Sequence, residues 1–194
     1  MEINKAEKNK DFYDEVYKKG GMYAKHYQAS PYYKIWKKSI DLLKEIKNPD
    51  ILEIGCGVGQ FANMLFDQGF KDYKGFDYSD EAIKLAQQTN PQEREKFHVD
   101  SAYTSKIFQE NYNTVIIFEV LEHLKEDMLV LNKIKSGVNV IFSVPNFDSA
   151  SHVRYFVDKN EIVQRYNEIV EIQDVYGYPI SSRNVIYLGY GRKK

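Results

Sequence analysis

The chain has 194 residues, 43% of them hydrophobic, with 27 lysines and arginines against 28 acids for a net charge of -1. That length buries one sizeable core and is short for two domains, while the even charge removes any overall pull toward nucleic acid or an anionic membrane. The single cysteine, Cys56, excludes an intrachain disulfide and fits a reducing compartment; with no apolar run near the roughly 20 residues that span a bilayer and no signal-peptide core, a cytoplasmic, non-membrane protein is expected.

Residues 1–30 are polar and dense in tyrosine, with Tyr13, Tyr17, Tyr23 and Tyr27 around Gly20-Gly21, and read as an appendage. Ser30-Pro31 offers an N-cap followed by proline at the first helical position. Ile35, Trp36, Ile40, Leu43 and Ile46 then recur at helical spacing until Asn48-Pro49 stops the pattern. From Ile51 onward short apolar runs alternate with helical stretches, as in a sheet with crossover helices. Strands are predicted at residues 51–54, 73–76, 97–99, 114–118 and 138–144. Between them, residues 60–68 carry Phe61, Met64 and Leu65 on one helical face, and Ser79 caps a helix bearing Ala82, Ile83 and Ala86. A third helix with Leu124, Met128, Leu131 and Ile134 stops at Gly137. The tail holds a short helix near residues 158–166 and two strands, 169–176 and 184–190, that read as a closing hairpin. No repeat or linker breaks the chain.

Ile51-Leu-Glu-Ile-Gly55-Cys56-Gly57-Val58-Gly59-Gln60 is a buried strand running into a glycine turn and a helix, the place where open α/β sheets bind ligands. A dinucleotide fingerprint needs glycine at the sixth position from Gly55, where Gln60 stands, so a nicotinamide dinucleotide is disfavoured. Glu53, two residues before Gly55, repels a diphosphate and suits a ligand carrying an ammonium and a sulfonium. Asp77 follows Gly55 by 22 residues, at the end of the next strand, where an acid can accept both hydroxyls of a ribose. Asp100-Ser101, after the third strand, offer a carboxylate for an exocyclic amine and a backbone N–H for a ring nitrogen. Phe118-Glu119-Val120-Leu121-Glu122-His123 follows the fourth.

These four strand ends, in this order and spacing, resemble the class I S-adenosylmethionine-dependent methyltransferases from about Ile51 to the C-terminus. The resemblance implies an α/β, Rossmann-like, doubly wound seven-stranded sheet, mostly parallel with the last strand antiparallel and helices on both faces. It also implies S-adenosyl-L-methionine as cofactor, with Glu53, Gly55 and Gly57 at its methionine end, Asp77 at the ribose and Asp100 with Ser101 at the adenine. Phe118, Glu119 and His123 would line the floor beside the transferred methyl. The Glu-Val-Leu-Glu-His run and Ser143-Val144-Pro145-Asn146 look like the branch that includes the ubiquinone-pathway O-methyltransferases. On this reading residues 49–194 form the cofactor-binding domain. Residues 1–48 are an aromatic-rich segment and helix able to serve as a substrate lid, all within one structural domain.

Each residue also has a plainer role. Asp77 can cap the helix beginning near Ser79, Asp100 can be a turn residue, and Tyr78 either covers the adenine or packs. Cys56 sits at a variable position of the turn, among cofactor-binding residues and without a nucleophilic role. Glu119, Glu122 and His123, with His152 on a later loop, resemble the ligand runs of metal-dependent methyltransferases acting on RNA ends. Those enzymes carry further histidines that this chain lacks, so no metal is assigned. His152 and Arg154 are expected to face substrate, and His152 or His26 to take the proton from an attacking hydroxyl. The expected reaction is in-line methyl transfer to an oxygen or nitrogen of a small molecule, with nucleic acid disfavoured and oligomeric state left open. A nucleic-acid or protein methyltransferase predicts a basic rim, and a binding module keeps the cofactor fold without turnover.

Overall fold

The computed structural model describes residues 5–194. Seven strands form one sheet in the order β3-β2-β1-β4-β5-β7-β6, with helices around it. The chain divides into two compact units, Asn9–Ser105 and Lys106–Lys194 with residues 5–8.

In the first unit, β1 (Ile51–Ile54) has all four residues buried and pairs in parallel with β2 (Tyr73–Asp77), which pairs in parallel with β3 (Phe97–Val99). A strand buried on both faces has no polar alternation, which is why β1 reads as an apolar run broken only by Glu53. Helix α1 (Lys10–Lys18) begins where the Asn9 side chain accepts from Phe12 N. It was not foreseen, although Tyr13, Val16 and Tyr17 share one helical face. Helix α2 (Tyr33–Lys44) buries Ile35, Trp36, Ser39, Ile40 and Leu43. It starts two residues after the expected proline, because Ser30 and Pro31 form a turn closed by Tyr33 N to Ser30 O. Helix α3 (Gln60–Asp67) follows the glycine turn, and Tyr27 is fixed to its last residue by a 2.8 Å bond from its hydroxyl to Asp67. Helix α4 (Asp80–Thr89) is capped by Ser79, which accepts from Ala82 N, and carries Asp80 and Glu81 in its first turn, the favourable end for negative charge.

In the second unit, β4 (Thr114–Phe118) and β5 (Asn139–Pro145) are parallel. Helix α5 (Asp127–Lys133) is shorter than expected and leaves Leu124 in the preceding turn. Helix α6 (Lys159–Tyr166) is capped by Asp158, which accepts from Asn160 N and Glu161 N. The predicted hairpin is present as β6 (Val170–Pro179) and β7 (Val185–Lys193), and β7 runs antiparallel to both β5 and β6. Gly189 on β7 lies against the Phe142 ring, whose Cζ would be 2.3 Å from any Cβ there, so the aromatic packs flat only over a glycine.

Candidate functional site

The glycine turn is held by hydrogen bonds of its own. Gly55 N and Cys56 N both donate to Phe76 O, at 2.8 and 3.0 Å. Gly57 N donates to one carboxylate oxygen of Asp77 at 3.0 Å, and Ser79 N donates to the other at 2.9 Å. Asp77 therefore ties the turn to the start of α4, and its carboxylate, an acceptor-only group, is turned toward backbone donors of Gly57, Tyr78 and Ser79. Gly57 has φ +51°, and a Cβ there would lie 3.3 Å from the Tyr17 hydroxyl. A side chain at Gly57 would thus be strained and crowded together.

Glu53 and Asp77 are both buried. Burial pushes Glu53 up to about 8, opposed by the 2.6 Å hydrogen bond it accepts from Tyr73 and reinforced by the nearby Asp77 charge. Burial likewise raises Asp77 to about 6, against the backbone donors that favour its ionised form. Two buried carboxyls held reluctant to ionise are relieved by a cation, the charge expected of a sulfonium ligand with an ammonium group. Folded Glu53 binds its proton more tightly than the unfolded chain, so its contribution is complete below about 4.5 and is lost as pH rises through about 8. The melting temperature is expected to fall between about pH 5 and 8, and Glu53→Gln to flatten that slope. An unchanged slope in the variant would show that Glu53 is not the titrating group.

Tyr78 meets the Tyr13 ring edge-on with centroids 5.6 Å apart. Asp100 accepts from Ser101 N at 2.7 Å and from Ser105 Oγ at 2.6 Å, so its carboxylate also builds its own turn. The Cys56 thiol is buried, and burial raises its pKa well above the ordinary value, keeping it neutral. His26 is exposed; its Nδ1 accepts from Gln28 N and its ring lies 4.2 Å from that of Tyr27. It lines, with Tyr17, Tyr23, Tyr27 and Gln60, a cavity of about 550 Å³.

The second unit carries the groups after β4. Phe118 is half-buried at the strand end. Glu119 follows with φ +53°, an uncommon conformation for a residue with a side chain. Ser143 holds it, accepting from Glu119 N at 3.0 Å and donating to its carboxylate at 2.8 Å. Burial pushes Glu119 up to about 7. The Ser143 contact was not foreseen, although Ser143 stood in the sequence run already singled out.

Glu122 is fully buried, and neither carboxylate oxygen has a hydrogen-bond partner among the described residues. Burial and the Glu119 charge drive its pKa well up, although Arg154 opposes the shift. His123 and His152 both place Nδ1 against a backbone carbonyl, of Ser151 at 3.0 Å and of Phe147 at 2.9 Å. A carbonyl only accepts, so both rings carry their proton on Nδ1, and each Nε2 bears a lone pair. Burial lowers the pKa of both, to about 4 for His123. The ligand atoms of Glu122, His123 and His152 lie within 4.8 Å of one another. Two neutral imidazoles oriented by carbonyls and a buried carboxylate without a hydrogen bond, its Oε1 3.6 Å from His123 Nε2, make a donor set that fits a divalent cation. The sequence reading assigns none.

Arg154 is corrected by the structure. It was expected to face substrate, yet it is 3% exposed and donates to the carbonyls of Leu121 at 2.5 Å, Leu124, and Lys125 at 2.9 Å. It also pairs with the buried Asp127 at 3.2 Å. A long cation with five donors satisfies the carbonyls of a turn that has no ladder of its own, and that turn carries Glu122 and His123.

A family model described as a methyltransferase domain matches residues 23–172, and the chain belongs to that family. No curated protein matches the chain in sequence. Among solved structures it is similar to magnesium protoporphyrin IX methyltransferase from Synechocystis PCC 6803 with bound SAH (16% identity, 84% of each chain, TM-score 0.63). It is also similar to the N-methyltransferase NodS from Bradyrhizobium japonicum WM9 in complex with S-adenosyl-l-homocysteine (16% identity, 74% of this chain and 76% of that one, TM-score 0.54). A third is a structure on conversion of a disulfide bond into a thioacetal group during echinomycin biosynthesis (16% identity, 95% of this chain and 91% of that one, TM-score 0.69). At such identities the likeness is one of fold. No helix among the described residues is long and apolar enough to cross a membrane.

Proposed function

We propose that the protein is an S-adenosylmethionine-dependent methyltransferase acting on an oxygen or nitrogen of a small molecule. The observation that carries the reading is Asp77, whose carboxylate is fixed by Gly57 N and Ser79 N beside a second buried acid, Glu53. Bound S-adenosylmethionine supplies an activated methyl group, so the chain's residues need only hold, orient and exclude water. Asp77 accepts the ribose hydroxyls, Glu53 with Gly55, Cys56 and Gly57 receives the methionine end, and Asp100, Ser101 and Tyr78 receive the adenine. Phe118, Glu119 and His123 are assigned to the methyl by the family resemblance. Between the two histidines proposed as base, His152 is favoured: it is neutral, and with Nδ1–H committed to Phe147 O its Nε2 can take a proton from an acceptor hydroxyl. The near-neutral net charge favours a small acceptor over nucleic acid. Calorimetric titration with S-adenosylmethionine, S-adenosylhomocysteine and NAD tests the reading. Micromolar binding of the first two is expected; binding of NAD alone, or of none, would overturn it.

A second reading places a divalent cation on Glu122, His123 and His152, carried by the buried Glu122 carboxylate, which has no hydrogen bond among the described residues. His152 Nε2 is then a ligand, and Glu119 becomes the candidate proton acceptor. Zinc or manganese is expected to raise the melting temperature of the wild type and not of Glu122→Gln. No metal-dependent shift in the wild type would remove this reading.

A further inference from the structure

The N-terminal segment is clasped onto the glycine turn and the start of α4. Asp14 on α1 accepts from the α4 cap, Ser79 Oγ, at 2.5 Å and from Glu81 N at 3.2 Å. Lys10 pairs with Asp80 at 2.5 Å. Beyond α1, Gly20 and Gly21 both have positive φ and turn the chain back, and Gln60 Nε2 donates to Lys25 O at 2.5 Å and to Met22 O at 3.1 Å. Gln60 is the residue that replaces the sixth-position glycine of a dinucleotide turn, and here it serves as the clasp's anchor on α3. These ties set Tyr17 over the turn, with its ring edge against Tyr23 at 4.9 Å and its hydroxyl 3.3 Å from the position a Gly57 Cβ would take.

The Tyr17 hydroxyl forms no hydrogen bond to another described residue; burial drives its pKa well above the ordinary value, and the nearby Asp77 charge adds to the shift. A phenol O–H in such a setting ordinarily finds a partner. We propose that Tyr17 is a cofactor-contacting residue, its hydroxyl donating to an oxygen at the ribose end of the nucleoside that Asp77 holds, with α1 as the clasp that sets it there. The inference rests on the S-adenosylmethionine reading and adds to it a donor on residues outside the strand-end motifs. Asp77 supplies acceptors only, so a neutral donor on the opposite side of the turn completes the recognition of a hydroxyl, which both gives and takes a hydrogen bond. The ring also fills the space over Gly57 that a pyrophosphate crossing the turn would need, and Asp14 adds negative charge nearby. Both features select a nucleoside with a short cationic arm over a dinucleotide.

The test is calorimetric titration of the wild type, Tyr17→Phe and Tyr17→Ala with S-adenosylhomocysteine and with 5'-methylthioadenosine, which shares the ribose and lacks the amino-acid arm. Melting temperatures are recorded alongside. Tyr17→Phe keeps the ring and the clasp, and is expected to weaken both ligands by about 3- to 10-fold, the worth of one hydrogen bond, without lowering the melting temperature. Tyr17→Ala is expected to weaken them further. Equal affinities in Tyr17→Phe and the wild type would overturn the proposal, and a loss confined to S-adenosylhomocysteine would overturn the ribose assignment. Failure of the wild type to bind either nucleoside would instead overturn the cofactor reading itself.

Discussion

Replacing Asp77 with alanine is expected to weaken S-adenosylhomocysteine binding by about 100-fold or more. Two hydrogen bonds from ribose hydroxyls to a carboxylate are worth about 1.5–3 kcal/mol each, and each 1.4 kcal/mol is about tenfold in affinity. The same carboxylate also receives Gly57 N and Ser79 N, so the substitution frees the turn from α4 and lowers stability as well. Asp77→Asn separates the two effects. Its amide oxygen can still accept one backbone N–H while its NH2 opposes the other, so it is expected to fall between wild type and alanine in both affinity and melting temperature. Binding by Asp77→Ala within a few-fold of the wild type, in a folded protein, would show that Asp77 only shapes the turn.

Arg154→Leu is expected to cost about 3 kcal/mol or more of stability, because removing one member of a buried charged network leaves its partners unmet. Three carbonyls lose their donor, and Asp127 loses one of its two cations, keeping Arg165 at 2.8 Å to each oxygen, the Tyr166 hydroxyl at 2.7 Å and Met128 N at 2.9 Å. For a chain of this size that loss lowers the melting temperature by roughly 6–12 °C, readable by calorimetry. Arg154→Lys is not expected to restore it, since an ammonium cannot reproduce the fork that spans Leu121, Leu124 and Lys125. A shift of about 2 °C or less would show that the turn after β4 holds without Arg154.

Both residues stand out in the sequence, but only Asp77 carries a local cue to its place. Asp77 was assigned correctly to a strand end because its cue is local: an apolar run, an acid, then a helix cap in Ser79. Arg154 was assigned to substrate because its partners, Leu121, Leu124, Lys125 and Asp127, lie about 30 residues upstream, and no period in the sequence ties a loop cation to distant carbonyls. The helix of Lys10–Lys18 was missed for a related reason. It is polar with no buried residue, and its place is set by Asp14 against Ser79 and Glu81.

The strands, the glycine turn, the acids at the strand ends and the closing hairpin are legible in the chain alone. Each is written in short-range patterns: apolar runs for strands buried on both faces, positive φ for the turn glycines, and side-chain oxygens that cap the helix behind them. What those acids meet is settled by folding. The burial that raises Glu53 and Asp77, the Ser143 contact that steadies Glu119 at positive φ, and the meeting of Glu122, His123 and His152 all join residues far apart in the chain. Desolvation and pairing depend on neighbours brought in by folding, and a linear pattern records the residue but not the company it keeps.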